Sequence, residues 1–124
     1  MSSASNELTK AIIKVLNSAG FLTWRNNTAG VYDPIKKTFR KNAALKKGVS
    51  DILGVIPGSG RILAIEVKIG SDKLSPHQHL FLNDVRDRNG SAFVAKTFDG
   101  FLESLKEHLS EEEIKIINKK YKFL

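Results

Sequence analysis

The sequence contains no cysteine, only three prolines and no apolar stretch long enough to cross a membrane. Without cysteine, disulfide bonds and thiolate zinc sites are excluded, so any metal ion must be held by oxygen or histidine. No secretory leader is recognisable. A chain of 124 residues can bury one hydrophobic core. We therefore expect a soluble, intracellular protein with a single domain spanning residues 1–124.

Acidic residues are scarce in the first half of the chain. Through Lys68, eleven lysines and arginines accompany four acidic residues, and two of these four are Asp51 and Glu66. From residue 69 onward, nine basic residues balance nine acidic ones, so the first half carries the whole net charge of +7. This excess favours binding to nucleic acid, although a generically basic small protein would also show it.

Residues 51–56 and 61–68 are predicted to form a β-hairpin, because two nearly continuous apolar runs flank a short turn that contains glycine. Such runs are typical of strands that are covered on both faces. If the turn closes symmetrically, Asp51 lies directly opposite Glu66. Because side chains alternate between the two faces of a strand, Lys68 shares the face of Glu66.

Two facing carboxylates repel each other, and charges at the ends of a buried hairpin are costly unless they are paired or bind a metal ion. A divalent cation with oxygen ligands, such as Mg²⁺ or Mn²⁺, would neutralise Asp51 and Glu66. Lys68 beside them could hold a nucleophilic water molecule or a transition-state oxyanion. The alternative is an ordinary solvated face with a cross-strand salt bridge. We favour the metal site because both strands are predicted to be buried.

Apolar spacing, capping residues and breakers predict the remaining elements, and their order indicates an α/β fold with a central mixed sheet flanked by helices. Residues 26–48 are predicted to be irregular. We interpret their basic run as a loop that contacts phosphates, with a solvated loop as the alternative. The predicted helices cover residues 6–19, 75–89, 98–109 and 111–121, and the further strands cover residues 21–25 and 91–95.

Gln78 and two aromatic residues, Trp24 and Tyr32, can each be interpreted as structural or as functional residues. Gln78 lies in an apolar stripe of a predicted helix and, as the third residue after Ser75, would complete a capping box. That role explains it as well as an active-site role does, and one amide could serve both. Trp24 and Tyr32 could stack on exposed bases, but aromatic residues in short strands of a small domain belong more often to the core.

The segments 48–51, 66–68 and 73–78 together resemble the core of the PD-(D/E)xK nuclease superfamily, and specifically its VRR-NUC (virus-type replication-repair nuclease) family. The resemblance extends from Glu7 to about Phe98. It implies a restriction-endonuclease-like fold, a metal-dependent DNA endonuclease, and a bacterial cytoplasm or a virus- or phage-infected cell as its location. The sequence departs from the superfamily at Ser50, where proline is frequent.

The resemblance also implies roles for individual residues. Glu7 would complete the site from the first helix, although an acid in a first helical turn is also favoured by the helix dipole. The implied catalytic residues are Asp51, Glu66, Lys68 and Gln78. The implied ligands of Mg²⁺ or Mn²⁺ are Glu7, Asp51, Glu66 and the backbone carbonyl of Val67. The candidates for contacts with DNA phosphates are Arg25, Arg40, Lys41, Lys46, Lys47 and Lys73.

Stand-alone members of this family resemble dimeric resolvases of Holliday (four-way) junctions, so we expect a homodimer that acts on branched DNA, without a membrane or a small-molecule cofactor. The C-terminal segment also contains more apolar residues than its size requires, which would suit an interface. One alternative is a nuclease of the same superfamily that acts on flaps, nicked or linear DNA, or RNA. Another is a non-catalytic nucleic-acid-binding protein. The apolar residues of the C-terminal segment that would form the interface are Phe101, Leu102, Leu105, Ile114, Ile116, Ile117 and Phe123.

Overall fold

The computed structural model describes residues 3–26, 31–40 and 46–122. It confirms the predicted α/β class: a four-stranded mixed sheet of order β1-β4-β5-β6 is flanked by helices, and β2 and β3 form a separate two-stranded sheet. No helix in these ranges is both long and apolar enough to cross a membrane. The elements are α1 (Ala4–Ser18), β1 (Leu22–Arg25), β2 (Val31–Asp33), β3 (Thr38–Arg40), β4 (Ile52–Val55), β5 (Ile62–Val67), α2 (Pro76–Asp87), β6 (Ser91–Ala95), α3 (Phe98–His108) and α4 (Glu111–Tyr121).

The hairpin of β4 and β5 has the predicted register. Ile52 lies opposite Ile65 at the last pair of the antiparallel ladder. One further step along both strands brings Asp51 opposite Glu66. From β5 the chain passes through α2 to β6, which pairs with β5 in parallel, and this connection places α2 against the face that carries Glu66.

The sheet is covered on both faces, but unequally. Helices α1, α3 and α4 pack on one face around a large core, and α2 packs on the other face over β5 and β6. Strand β5 is therefore buried on both sides, as its apolar sequence predicts. The large core contains Ile12, Leu16, Ile52, Leu63, Ile65, Phe101, Leu105 and Ile117, and the smaller core contains Ala64, Leu82, Val85 and Ala92.

The prediction that residues 26–48 are irregular is wrong for part of this stretch. Strands β2 and β3 pair in an antiparallel register that joins Val31 to Arg40 and Asp33 to Thr38. The residues that disfavour regular structure lie outside these two short strands, so they do not prevent the strands from forming. Pro34 lies in the connecting turn, outside the ladder, where its missing N–H costs no hydrogen bond.

The interpretation of Trp24 as a core residue is also wrong, since 44% of its surface is exposed. Trp24 lies on the edge strand β1 opposite Leu53. The helix on that side, α2, packs against β5 and β6 and leaves β1 open. The side chain of Tyr32 lies outside the described residues.

Most of the apolar residues of the C-terminal segment pack in the hydrophobic core of this chain. Phe101, Leu105 and Ile117 are fully buried in the large core, and Leu102 and Ile114 pack against it. The expectation that this segment marks a dimer interface therefore loses its basis. Ile116 is 46% exposed and Phe123 lies outside the described residues.

An ion pair between the buried Glu113 and the partly exposed Arg61 joins α4 to the turn between β4 and β5. Glu113 accepts hydrogen bonds from the Arg61 guanidinium at 2.7 and 3.0 Å, from the Ser59 hydroxyl and from the Ser110 backbone N–H. Burial by itself would raise the pKa of Glu113, but these donors outweigh it and lower the pKa to about 2. Ser110 and Glu113 also form the predicted capping box of α4.

Candidate active site

Asp51 is fixed by backbone contacts at the end of β4. Its Oδ2 accepts a hydrogen bond of 2.9 Å from the N–H of Val67, and its own carbonyl accepts one of 2.8 Å from Asn26. Both partners belong to neighbouring strands or their extensions. The Asp51 carboxylate is thus held against the strand that carries Glu66.

Glu66 is an acid in an unusually dry position, because only 2% of its surface is exposed. Burial, together with the neighbouring Asp51 carboxylate, raises the pKa of Glu66 to about 8, although the nearby Lys68 ammonium opposes the shift. The buried Oε2 of Glu66 has no hydrogen-bond partner among the described residues. Within the described residues, this oxygen is therefore buried without a donor.

The amide of Gln78 makes two contacts, one within the cap of α2 and one with Glu66. Its Oε1 accepts a hydrogen bond of 2.8 Å from the N–H of Ser75, which closes the capping box of α2. Its Nε2 donates to Oε1 of Glu66 at 3.1 Å. The cap of α2 and the buried carboxylate are therefore coupled through one side chain.

Lys68 follows Glu66 on the same face of the sheet, and its side chain is only 11% exposed. Its Nζ lies 3.7 Å from Oδ2 of Asp72, which is 64% exposed in the loop before α2. Asp72 is not among the site residues predicted from the sequence. Its position four residues after Lys68 gave no signal, because the contact depends on the shape of the loop.

Gly48 lies against the backbone of the first turn of α2, the helix that carries Gln78. Its backbone has φ of +77°, and a methyl group in place of its hydrogen would lie 2.3 Å from the carbonyl carbon and oxygen of His77 and 2.8 Å from the nitrogen of Gln78. Only glycine permits both the left-handed conformation and this approach. The segment that leads to Asp51 therefore packs directly on the first turn of the helix that carries Gln78.

The structure does not bring Glu7 into a group with the two central carboxylates. Glu7 is exposed in the first turn of α1. Over residues 3–26, 31–40 and 46–122, no group of three or more histidine, cysteine or acidic side chains is placed to hold a metal ion. The roles of Glu7 and of the Val67 carbonyl as metal ligands stay predictions.

The predicted DNA-contacting residues differ in their surroundings. Lys46, Lys47 and Lys73 are exposed in the segments just before Asp51 and just after Lys68. Arg25 is exposed on β1 and donates a hydrogen bond to Asn6 of α1. Lys41 and the side chain of Arg40 lie outside the described residues.

The mixed sheet of this α/β protein carries Asp51, Glu66 and Lys68, and the neighbouring helix carries Gln78. Residues 4–99 match the family model of the VRR-NUC domain, which includes every residue that the site brings together. The chain therefore belongs to the VRR-NUC family of nuclease domains.

Among solved structures, the chain is similar to Hjc, a Holliday junction resolvase from the archaeal hyperthermophile Archaeoglobus fulgidus, with 27% sequence identity and a TM-score of 0.45. The similarity covers 73% of this chain, and the chain spans 65% of the length of that resolvase. A comparison with curated proteins gives no match.

Proposed function

We propose that this protein is a divalent-metal-dependent, structure-selective DNA endonuclease that resolves four-way (Holliday) junctions as a homodimer. The observation that carries the catalytic part of the proposal is the pairing of Asp51 with the buried Glu66, beside Lys68 and Gln78. A protein that only binds nucleic acid has no reason to maintain two costly carboxylates at one point of a basic surface.

The residues of this site fit a divalent metal ion. The Oε2 of Glu66 has no hydrogen-bond partner in the described part of the chain, and a hard cation would supply one. It would also relieve the repulsion between Glu66 and Asp51, and Mg²⁺ is commonly held by one or two carboxylates together with water. Asp51 and Glu66 would hold Mg²⁺ or Mn²⁺, with the Val67 carbonyl and Glu7 as further predicted ligands. A bound ion would polarise the scissile phosphate and lower the pKa of its water.

The remaining groups orient the carboxylates and meet the developing charge. The N–H of Val67 fixes the Asp51 carboxylate, and the amide of Gln78 fixes Glu66. Lys68 supplies a positive charge on the same face, where it would stabilise negative charge on the phosphate in the transition state. Its low exposure strengthens that interaction, since less water screens it.

The DNA contacts that we propose are mainly contacts to phosphates. Lys46, Lys47 and Lys73 flank the site along the chain, and Arg25, Arg40 and Lys41 add to the basic excess of the first half. Such contacts position the protein on the backbone without reading the base sequence, and they make binding depend on salt. Selectivity would then depend on the shape of the DNA.

The choice of the four-way junction and of a homodimer follows from symmetry and from the family resemblance. A four-way junction offers two equivalent cleavage positions, and a two-fold dimer presents two identical sites. Light scattering at micromolar concentration tests the assembly, and a purely monomeric protein would contradict it.

Cleavage assays on a four-way junction and on linear duplex test the function. We expect cleavage with Mg²⁺ or Mn²⁺ and none with chelator. Asp51→Asn and Lys68→Ala should each lower the rate on the order of 100-fold or more while DNA binding is retained. Asp87→Asn and Lys115→Ala, which remove the same charges at exposed positions outside the site, are the matched controls.

The proposal fails if the wild-type protein cuts no substrate, or if the two site variants cut as well as the two controls. Flap, nicked duplex and RNA substrates in the same assay distinguish the alternative nucleases. A preference for one of these substrates over the junction would replace the proposed substrate while the catalytic site stands.

A further inference from the structure

The hairpin of β2 and β3 ends in a tip formed by Pro34, Ile35, Lys36 and Lys37. All four of these residues are exposed. Ile35 is 90% exposed, the highest value for any large hydrophobic side chain in the described part of the chain. An apolar residue at the end of a two-stranded sheet contributes little to a core. The Ile35 side chain therefore presents apolar surface at the end of the hairpin.

The backbone of the tip also departs from the usual chemistry of turns. Lys37 adopts φ of +53°, a left-handed conformation that glycine or asparagine adopts at less cost. A lysine at this position keeps a positive charge at the tip at the expense of backbone strain. Residues that retain strain of this kind are concentrated at functional sites.

The charge around the tip indicates the class of partner. Within residues 31–41 there are four lysines and arginines and a single acidic residue, Asp33. An exposed isoleucine that follows a proline and precedes two lysines has the composition of the apolar wedges that proteins insert between base steps, where cations hold the adjacent phosphates.

We propose that this tip is a wedge that enters the branch point of the DNA substrate. Ile35 packs against the face of a base pair at the branch, and Lys36 and Lys37 bind the phosphates on either side. This inference rests on the proposed function, because it explains how a nuclease that makes only phosphate contacts distinguishes branched DNA from linear DNA.

The distinction has a simple physical origin. In linear duplex both faces of each base pair are covered by stacking, and inserting a side chain requires unstacking. At a branch point the stacking is more easily interrupted, so an apolar side chain can cover a base face at less cost. Ile35 would therefore add affinity for the branched substrate, whereas the lysines would add affinity for any DNA.

The test measures binding in chelator, where no strand is cut, to a four-way junction and to linear duplex of matched sequence. The junction carries 2-aminopurine at the branch point, and the duplex carries it at the corresponding position of the sequence. We expect Ile35→Ala to weaken junction binding about tenfold and duplex binding less than about twofold. The rise in 2-aminopurine fluorescence on junction binding should disappear. Ile35→Phe, which keeps a large apolar tip, should retain both properties.

Two controls separate the wedge from other effects. Ile116→Ala makes the same change at another exposed isoleucine and should alter neither affinity nor fluorescence. Lys36→Ala should weaken junction and duplex binding by a similar factor and reduce the salt slope by about one.

If wild type prefers the junction but Ile35→Ala keeps both that preference and the fluorescence rise, the wedge is wrong and the proposed function stands. If wild type shows no preference for the junction, the proposed substrate and the wedge both fail.

Discussion

Replacing Gly48 by alanine is expected to displace the start of α2 and, with it, the amide that orients Glu66. The new methyl group would come within 2.3 Å of the backbone carbonyl of His77, which no side-chain rotation can relieve. Either the segment before Asp51 or the first turn of the helix must move. Movement of the segment would displace Asp51, and movement of the helix would separate Gln78 from Glu66.

The magnitude can be worked out with a matched control. Gly60 also has a positive φ, +74°, but a methyl group there would meet no atom within 4 Å. Both substitutions carry the left-handed penalty of about 1–2 kcal/mol. Only Gly48→Ala adds the overlap, which costs about 1–3 kcal/mol. The difference between the two variants therefore isolates the close approach to α2.

The free energy of unfolding in urea and the rate of DNA cleavage are the quantities to measure. Gly48→Ala should be about 1–3 kcal/mol less stable than Gly60→Ala. It should also cut on the order of 10- to 100-fold more slowly, because small displacements of positioning groups are costly to catalysis. Equal stability and equal rates in the two variants would refute the claim that Gly48 positions Gln78.

Three further predictions concern the carboxylates and the helix cap. Glu66→Gln should stabilise the metal-free protein by about 3 kcal/mol at pH 7 and little at pH 4, as urea unfolding in chelator would measure. The reason is that a carboxyl whose pKa rises from 4.5 to about 8 on folding destabilises the folded state between those pH values. The low pKa of Glu113, about 2, should contribute about 3 kcal/mol of stability above pH 5 that is lost as the pH falls toward 2, and acid titration of Glu113→Gln should lack that component. Ser75→Ala should cost about 1 kcal/mol of stability and nearly retain the cleavage rate, whereas Gln78→Ala should lower both the stability and the cleavage rate. Equal cleavage rates in these two variants would contradict a role for the contact between Gln78 and Glu66.

The hairpin at the centre of the site was predictable because its information is local. Two apolar runs and a short turn determine the register, and the register places Asp51 opposite Glu66. The capping box was equally local, and it located Gln78 at the third position of α2. These features require only the periodicity of strands and helices.

The remaining features depend on contacts between distant segments. The approach of Gly48 to α2 joins residues about 30 positions apart, and no local pattern encodes it. The surroundings of the C-terminal apolar residues likewise depend on which sheet face α3 and α4 cover. Trp24 is exposed because α2 covers β5 and β6 but not β1. The composition of β1 does not reveal this.

The edge of the sheet at β1 limits how two copies of this chain could join. The side chain of Asn17 accepts a hydrogen bond of 2.9 Å from the Thr23 N–H and donates one of 3.3 Å to the Thr23 carbonyl, so its amide occupies the place of a neighbouring strand. Exposed strand edges promote pairing between chains unless their backbone groups are occupied. A continuous sheet formed through the β1 edges of two subunits would therefore have to displace Asn17 from this edge.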